Sequence, residues 1–400
     1  MITSNKALQI ILEHIERFGT EEIDFKNSLG RVLKEDIKAD RDFPPFNRAS
    51  MDGIGITVDA FESGVREFKI EGIQAAGSAQ LTLENKNHCI ETMTGAVTPI
   101  NVDAVIPYEL IEIKNGTAKV SFNDIKYFQN IHKKGLDRKE NDVLIKKDTI
   151  ISSAEIGVLA TVGKAMVHVA KMPKVMIIST GDELVEVNKI PADYQIRRSN
   201  VHTLVSLLSK LKIEADSIHI ADDKPLLKQK IDQILNNYDV LLFSGAVSKG
   251  KFDFLPEVLE ELGVQKLFHK VRQRPGKPFW FGKKESKTVF AFPGNPVSTF
   301  VSCMKYFYPW FNKSVGVEFE NKNFAVLSKD FTFKPDLTYF LQIKLENRKG
   351  VLYANPIAGH GSGDLANLVD NDAFIELPRG KDLFCKGEVF PLLRYRSCEC

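Results

Sequence analysis

Cysteine is scarce in this chain and follows no pattern. Cys89, Cys303, Cys385, Cys398 and Cys400 form an odd, scattered set with no CxxC pair and no histidine at zinc spacing. That excludes a disulfide framework or a zinc module and reads as reduced thiols in a cytoplasmic protein. No apolar run approaches the ~20 residues a membrane span needs. The opening MITSNKALQIILEH lacks the basic, apolar and small-residue blocks of a secretory signal, so no membrane association is expected. Net charge is nearly absent, because 54 Lys and Arg against 52 Asp and Glu leave +2, and no global field draws the chain to nucleic acid. The phosphate loops GxxxxGK[ST] and GxGxxG are missing as well, which counts against ordinary nucleoside triphosphate or dinucleotide binding. There is no internal repeat and no low-complexity segment.

What remains is an ordinary globular composition, 43% hydrophobic and 26% charged, over 400 residues. That length exceeds what one core usually holds, so two or more domains are expected. Residues 4–18 predict a helix with Ala7, Leu8, Ile11, Leu12, Ile15 and Phe18 on one face, Ser4 or Asn5 as cap and Gly19 as stop. From about 40 to 141, short apolar bursts between Gly and Pro signals predict a β-rich unit with long loops. Residues 142–172 read as a return segment mixing a strand with a short helix.

At 173 the pattern changes. PKVMIIST, DSIHI, DVLLFSG and TVFAFPG read as strands, separated by a helix capped by Asn200 and by helices starting at Pro225 and Phe254, and followed by one helix over NPVSTFVSCMKYFYPW with Asn295 as cap and Pro296 at N1. Strands alternating with helices of 10–15 residues mean βαβ units, hence a doubly wound, mostly parallel sheet. After about 318 the chain returns to short strands with turn signals, compatible with a small barrel or sandwich.

Ligands of an open α/β sheet bind beyond the carboxyl ends of its strands. The loops there carry Ser179-Thr180-Gly181-Asp182-Glu183, Asp222-Asp223, Ser244-Gly245-Ala246-Val247-Ser248-Lys249-Gly250 closed by Asp253, and Pro293-Gly294-Asn295-Pro296. Glycines let backbone approach a ligand, while hydroxyls and free amides at a helix start bind phosphate oxygens. Glu183, Asp222 and Asp253 would share one rim, and hard carboxylates beside a phosphate site are how Mg²⁺ is held. Arg272, Arg274 and Lys277, stiffened by Pro275 and Pro278, would supply positive charge to the same rim. Together these groups suit phosphate-ester or oxyanion chemistry. Duller readings exist for each piece: Gly-rich turns close βα connections, Asp222-Asp223 could cap a helix, and the PGKP segment could be a hairpin. One sheet edge collecting four such loops favours the functional reading. The histidines form no triad, and His269 and His360 read as packing or surface residues.

RASMDGIGI, TMTGAVTP with DAVIPYE, PKVMIISTGDELVE, SGAVSKGKFDFLPEVLEELG, RPGKPFWFGK and FPGNPVS follow one another here in an order that resembles the molybdopterin molybdotransferase family, which includes the catalytic half of gephyrin-type proteins. The resemblance spans about residues 5 to 380. It implies a multidomain α/β plus β protein and a homodimer. Residues 1–45 and 142–172 would form a helical linker domain, 46–141 an inserted β-rich domain, 173–317 the α/β domain and 318–400 a C-terminal β-barrel. It also implies Mg²⁺-dependent insertion of molybdate into adenylylated molybdopterin with release of AMP. A molybdopterin adenylyltransferase and apo-molybdoenzymes would stand upstream and downstream as partners.

Carried over residue by residue, Asp222 and Asp253 would bind metal and pterin phosphate, with Glu183 on metal, pterin or water and Asp182 on pterin or water. Asp52 and Thr94 of the inserted domain would close over the site of the other subunit. Arg274 and Lys277 would face the molybdate or phosphate end, Pro293 and Pro296 would fix backbone, and Ser362 of GHGSGDLANL would face the cleft. Three departures from the family pattern stand out. Ala246 replaces a glycine in SGGVS, a position where a side chain disfavours positive φ. His132 and Leu136 replace Arg and Glu of NIRxxGED, and Arg198-Ser199-Asn200 stands where the family has DTN. Rival readings are adenylylation of molybdopterin and a non-catalytic gephyrin-like scaffold.

Overall fold

The computed structural model describes residues 1–247, 253–318, 323–357 and 359–396. The chain divides into two compact units. One comprises Met1–Lys34, Asp148–Ser152 and Met166–Cys400; the other, inserted in it, comprises Glu35–Lys147 and Ser153–Ala165.

The inserted unit is built on a six-stranded sheet. Its order is Ala104–Pro107, Gly53–Ile56, Cys89–Thr92, Glu67–Gln74, Thr117–Val120, Ile111–Lys114. Ile54, Ile56, Phe61, Phe68 and Ile106 fill its core, each such side chain contributing roughly 1.5–3 kcal/mol. Gly53 pairs with Thr92 across the sheet, which brings the residues just outside that pair, Asp52 and Thr94, to the same end.

The larger unit holds the α/β sheet, ordered Ala215–Ile220, Val175–Thr180, Val240–Ser244, Lys287–Phe292, Trp280–Lys284, Gln265–His269. The first four strands are parallel, and a hairpin extends the edge antiparallel. The parallel strands are short apolar runs because both faces are covered. One face packs Leu204, Leu208, Phe307 and Trp310, and the other packs Leu227, Ile231, Val258 and Leu259. Downstream, Thr338–Arg348, Val351–Pro356, Phe324–Leu327, Val389–Arg394 and Ala373–Leu377 pair in turn and close back on Thr338–Arg348, forming a five-stranded barrel. The two-residue strand Gln273–Arg274 attaches in parallel to the start of Thr338–Arg348.

Three local expectations need correction. The first helix runs only over Ser4–Glu13, and Thr3, not Ser4 or Asn5, caps it by accepting from Lys6 N. His14 leaves helical geometry and its carbonyl accepts from Trp310 Nε1 at 3.0 Å, so a tertiary partner ends the helix before Gly19. The helix that starts at Pro296 is not continuous. It runs over Pro296–Ser302, widens into a π turn over Cys303–Phe307 and resumes as Tyr308–Ser314. Pro309 has no N–H for the carbonyl four residues back, and the helix widens just ahead of it. Finally, Asn200 lies inside helix Ser199–Lys210 and does not cap it. Among the described residues no helix is long and apolar enough to cross a membrane.

Candidate active site

The carboxyl ends of the four parallel strands open onto one cavity of about 620 Å³. Ser179, Thr180, Gly181 and Glu183 line it after the first strand, Asp222 after the second, Ser244 and Gly245 after the third, and Pro293 to Pro296 after the fourth. Asp253 lines it as well, so Glu183, Asp222 and Asp253 share a single cavity. Ser248 lies outside the described residues. Asp182 does not line the cavity; its Oδ1 accepts from Asp222 N at 3.2 Å and joins the first loop to the second. The capping alternative for the acidic pair is resolved by division of labour: Asp223 caps helix Lys224–Asn237 by accepting from Leu226 N at 2.8 Å, which leaves Asp222 for the cavity. Gly181 has φ +127°, and a Cβ there would meet the Glu183 carboxylate at 2.5 Å, so the turn that presents Glu183 requires glycine.

Asn200 acts where sequence reading assigned a cap. Its Nδ2 donates to Ser244 Oγ at 2.8 Å and to the Gly294 carbonyl at 2.6 Å, tying the third loop to the fourth. Gly245 N donates to Phe292 O at 3.1 Å, and His269 Nε2 donates to the Val247 carbonyl at 3.0 Å. Ala246 holds φ +55°. The left-handed conformation is therefore kept despite the missing glycine, at a cost of roughly 1–2 kcal/mol. Burial is the largest cause of the raised pKa of Asp222, followed by the carboxylates of Asp182 and Glu183. Three carboxylates crowd this cavity, and Arg197 and Arg198 stand on its wall beside them. Among the described residues, no group of three or more His, Cys, Asp or Glu stands close enough to hold a metal ion unaided.

One lining residue and one sheet neighbour of the cavity escaped the sequence reading. Arg198 faces the acid-lined cavity and ion-pairs with Glu186; its signal was the departure of Arg198-Ser199-Asn200 from DTN. His219 lies opposite Ser179 in the sheet, with Nδ1 3.1 Å from Ser179 Oγ. Burial and then Arg198 hold its pKa below the usual imidazole value. Only strand register discloses that pair.

Arg274 and Lys277 do not share the acid-lined rim. They line a second cavity of about 580 Å³ with Ser298, His360 and Ser362. Pro278, Pro293, Asn295 and Gly363 line both cavities, so the two adjoin. Arg272 lines neither. Asn295, whose side chain makes no cap bond, donates from Nδ2 to Ser362 Oγ at 2.7 Å and fixes the GHGSGD loop against the PGNP loop. In the inserted unit, Asp52 Oδ1 accepts from Thr94 N at 2.6 Å and Thr94 Oγ1 at 2.7 Å. The backbone bond first, then the hydroxyl, holds the Asp52 carboxyl below the usual range. His132, one of the departures, pairs through Nε2 with Asp137 at 3.0 Å.

Three successive stretches of the chain match known protein regions. Residues 2–163 match the "MoeA N-terminal region (domain I and II)", 176–313 the "Probable molybdopterin binding domain" and 325–395 the "MoeA C-terminal region (domain IV)". A Synechocystis protein named molybdopterin molybdenumtransferase is 40% identical over 396 residues, which cover 98% of this chain and 99% of that protein. The chain belongs to the molybdopterin molybdenumtransferase family. A Staphylococcus epidermidis protein of the same name is 31% identical over 97% of this chain and 96% of its own length. The fold matches a solved structure described as a molybdopterin biosynthesis MoeA protein from Pyrococcus horikosii, with TM-score 0.84 and 29% identity, covering 99% of this chain and 100% of that one. On the family's map the four loops of the acid-lined cavity fall in the 176–313 region, Ser362 in the 325–395 region, and Asp52 and Thr94 in the 2–163 region.

Proposed function

We propose that this chain inserts molybdate into adenylylated molybdopterin with release of AMP, in a Mg²⁺-dependent step, as a cytoplasmic homodimer. The observation that carries the proposal is the convergence of four strand-end loops on one acidic cavity that adjoins a cation-lined one. Cleaving a phosphoanhydride and seating a dianion need these two environments side by side. We read the acid-lined cavity as the place of the pterin and its phosphates, with Ser179, Thr180 and Ser244 as hydroxyl donors and the amides of Gly181, Gly245 and Gly294 within reach of backbone recognition. Arg274, Lys277 and Ser362 would take the tetrahedral dianion, the guanidinium and ammonium supplying charge and the hydroxyl direction.

The donor set fits Mg²⁺. Glu183, Asp222 and Asp253 are hard oxygen ligands crowded at one cavity, and Mg²⁺ takes one or two carboxylates with waters and substrate phosphates, not a full protein cage. Bound there, it would neutralise charge on the phosphoanhydride. Asp182 positions Asp222 through its backbone amide. Asp52 and Thr94, locked to each other, would be supplied by a second copy, and the four-part domain division with breaks near 45, 141, 172 and 317 belongs to the same proposal. An adenylyltransferase would need little beyond an α/β unit of roughly 150–200 residues, whereas this chain carries the β-rich unit and barrel besides.

The test supplies the protein with adenylylated molybdopterin, Mg²⁺ and molybdate. AMP release together with a product that reconstitutes an apo-molybdoenzyme is the expected result. AMP release without reconstitution would make the protein a hydrolase, and neither outcome would leave a scaffold.

A further inference from the structure

Behind the loop that carries Arg274 and Lys277 lies a buried polar network. Gln273, only 1% exposed, uses its whole amide: Nε2 donates to the carbonyls of Pro275 at 3.1 Å and Gly276 at 3.3 Å, and Oε1 accepts from the Tyr306 hydroxyl. Ser4 Oγ lies 3.1 Å from that hydroxyl and 3.5 Å from Glu376 Oε1. Lys305 Nζ closes the set on Glu376 Oε2 at 2.6 Å. The members come from the first helix, the π turn, the strand Gln273–Arg274 and the barrel. The π turn keeps Lys305, Tyr306 and Phe307 buried in succession. Gly276, at φ +91°, is pressed onto the network: a Cβ there would come within 2.7 Å of Gln273 Nε2 and 2.9 Å of Ser302 Oγ.

An interior this polar is costly where apolar packing would serve, and its Tyr306–Gln273 branch ends on two carbonyls of one turn. Burial also raises the Tyr306 pKa and so preserves the proton it donates. We infer that Gln273 and Tyr306 are positioning residues: from inside the fold they hold the Arg274–Lys277 turn in the shape that binds a tetrahedral oxyanion. The inference rests on reading that turn as the oxyanion site.

Tyr306→Phe keeps the ring stacked on Phe279, whose centroid is 4.8 Å away, and removes only the hydroxyl that joins Gln273 to Ser4. Titration calorimetry with molybdate alone should show affinity weakened about five- to tenfold, the worth of one buried hydrogen bond. Half-saturation by adenylylated molybdopterin, and AMP release at saturating molybdate, should stay within about twofold. Gln273→Leu should weaken molybdate binding at least as much. Ser4→Ala should shift it in the same direction by about twofold, and it carries the test if either of the other variants fails to fold. Unchanged molybdate affinity in the folded variants, while Lys277→Ala loses it, overturns the inference alone. A uniform loss for both ligands with a lowered Tm also overturns it, as a purely structural role. If Lys277→Ala binds molybdate normally, the oxyanion site itself is misplaced and the inference falls with it.

Discussion

The acid-lined cavity is made of loops, each following its own strand, and its acids Glu183, Asp222 and Asp253 are separated by tens of residues. The cation-lined cavity takes both its cations from one turn, with Arg274 and Lys277 three residues apart and Gln273–Arg274 paired to the barrel. Shared residues Pro293 and Asn295 join them, yet their demands differ. Crowded carboxylates repel one another and need a cation or phosphate-bound metal to settle. Paired cations need a rigid backbone to aim them at an anion. Electrostatics dominates the first cavity, and shape held from behind dominates the second.

The largest effect should come from the acidic side. Asp253→Asn removes a charge without changing shape, so the protein should fold with unchanged Tm. AMP release should nonetheless fall by at least ~100-fold, by analogy with deleting a charge-stabilising group. Near-normal turnover would take Asp253 out of the chemistry and blur the contrast between the cavities. Lys277→Ala should act on the other one: half-saturating molybdate rises roughly 10- to 100-fold, as loss of a charge-assisted bond predicts. AMP release in saturating molybdate should fall far less than in Asp253→Asn. If both substitutions change the same kinetic constant, the two cavities work as one.

Asn200→Ala should give a smaller effect, because it cuts the tie between the third and fourth loops without touching a charge. Losing two hydrogen bonds on a half-buried amide should cost roughly 1–2 kcal/mol in urea unfolding. It should also raise the half-saturating concentration of adenylylated molybdopterin several-fold, leaving the molybdate response in place.

The contrast between the cavities also marks what sequence could tell. Alternation of strand and helix places Ser179, Asp222, Ser244 and Pro293 at strand ends, and strand ends of a parallel sheet must lie together, so the acid-lined cavity was legible from pattern. The separation of Arg274 and Lys277 from that rim was not, since it depends on Gln273–Arg274 pairing with the barrel, a long-range contact with no local signature. Asn200 reads as a cap by propensity, but Ser244 and Gly294 are spatial partners that outbid the helix terminus. His219 needed strand register. The early end of the first helix follows from Trp310 taking the His14 carbonyl, again a tertiary event that periodicity cannot foresee.

Ala246 offers the finest test. The sequence suggested that a side chain at this position would turn the backbone away from positive φ, whereas the residue keeps φ +55° between Gly245 and Val247. The loop's shape is thus imposed by its neighbours: Gly245 N is held by Phe292 O, and the Val247 carbonyl by His269. Ala246→Gly should relieve the left-handed cost but enlarge the unfolded ensemble, so the two partly cancel. A net gain of about 0.5–1 kcal/mol in urea unfolding is expected, with AMP release within about twofold of the parent. A loss of stability would mean the alanine methyl contributes packing against the apolar core cluster beneath it worth more than the strain. A changed rate would mean instead that the acid-lined cavity, too, depends on how stiffly its backbone is held.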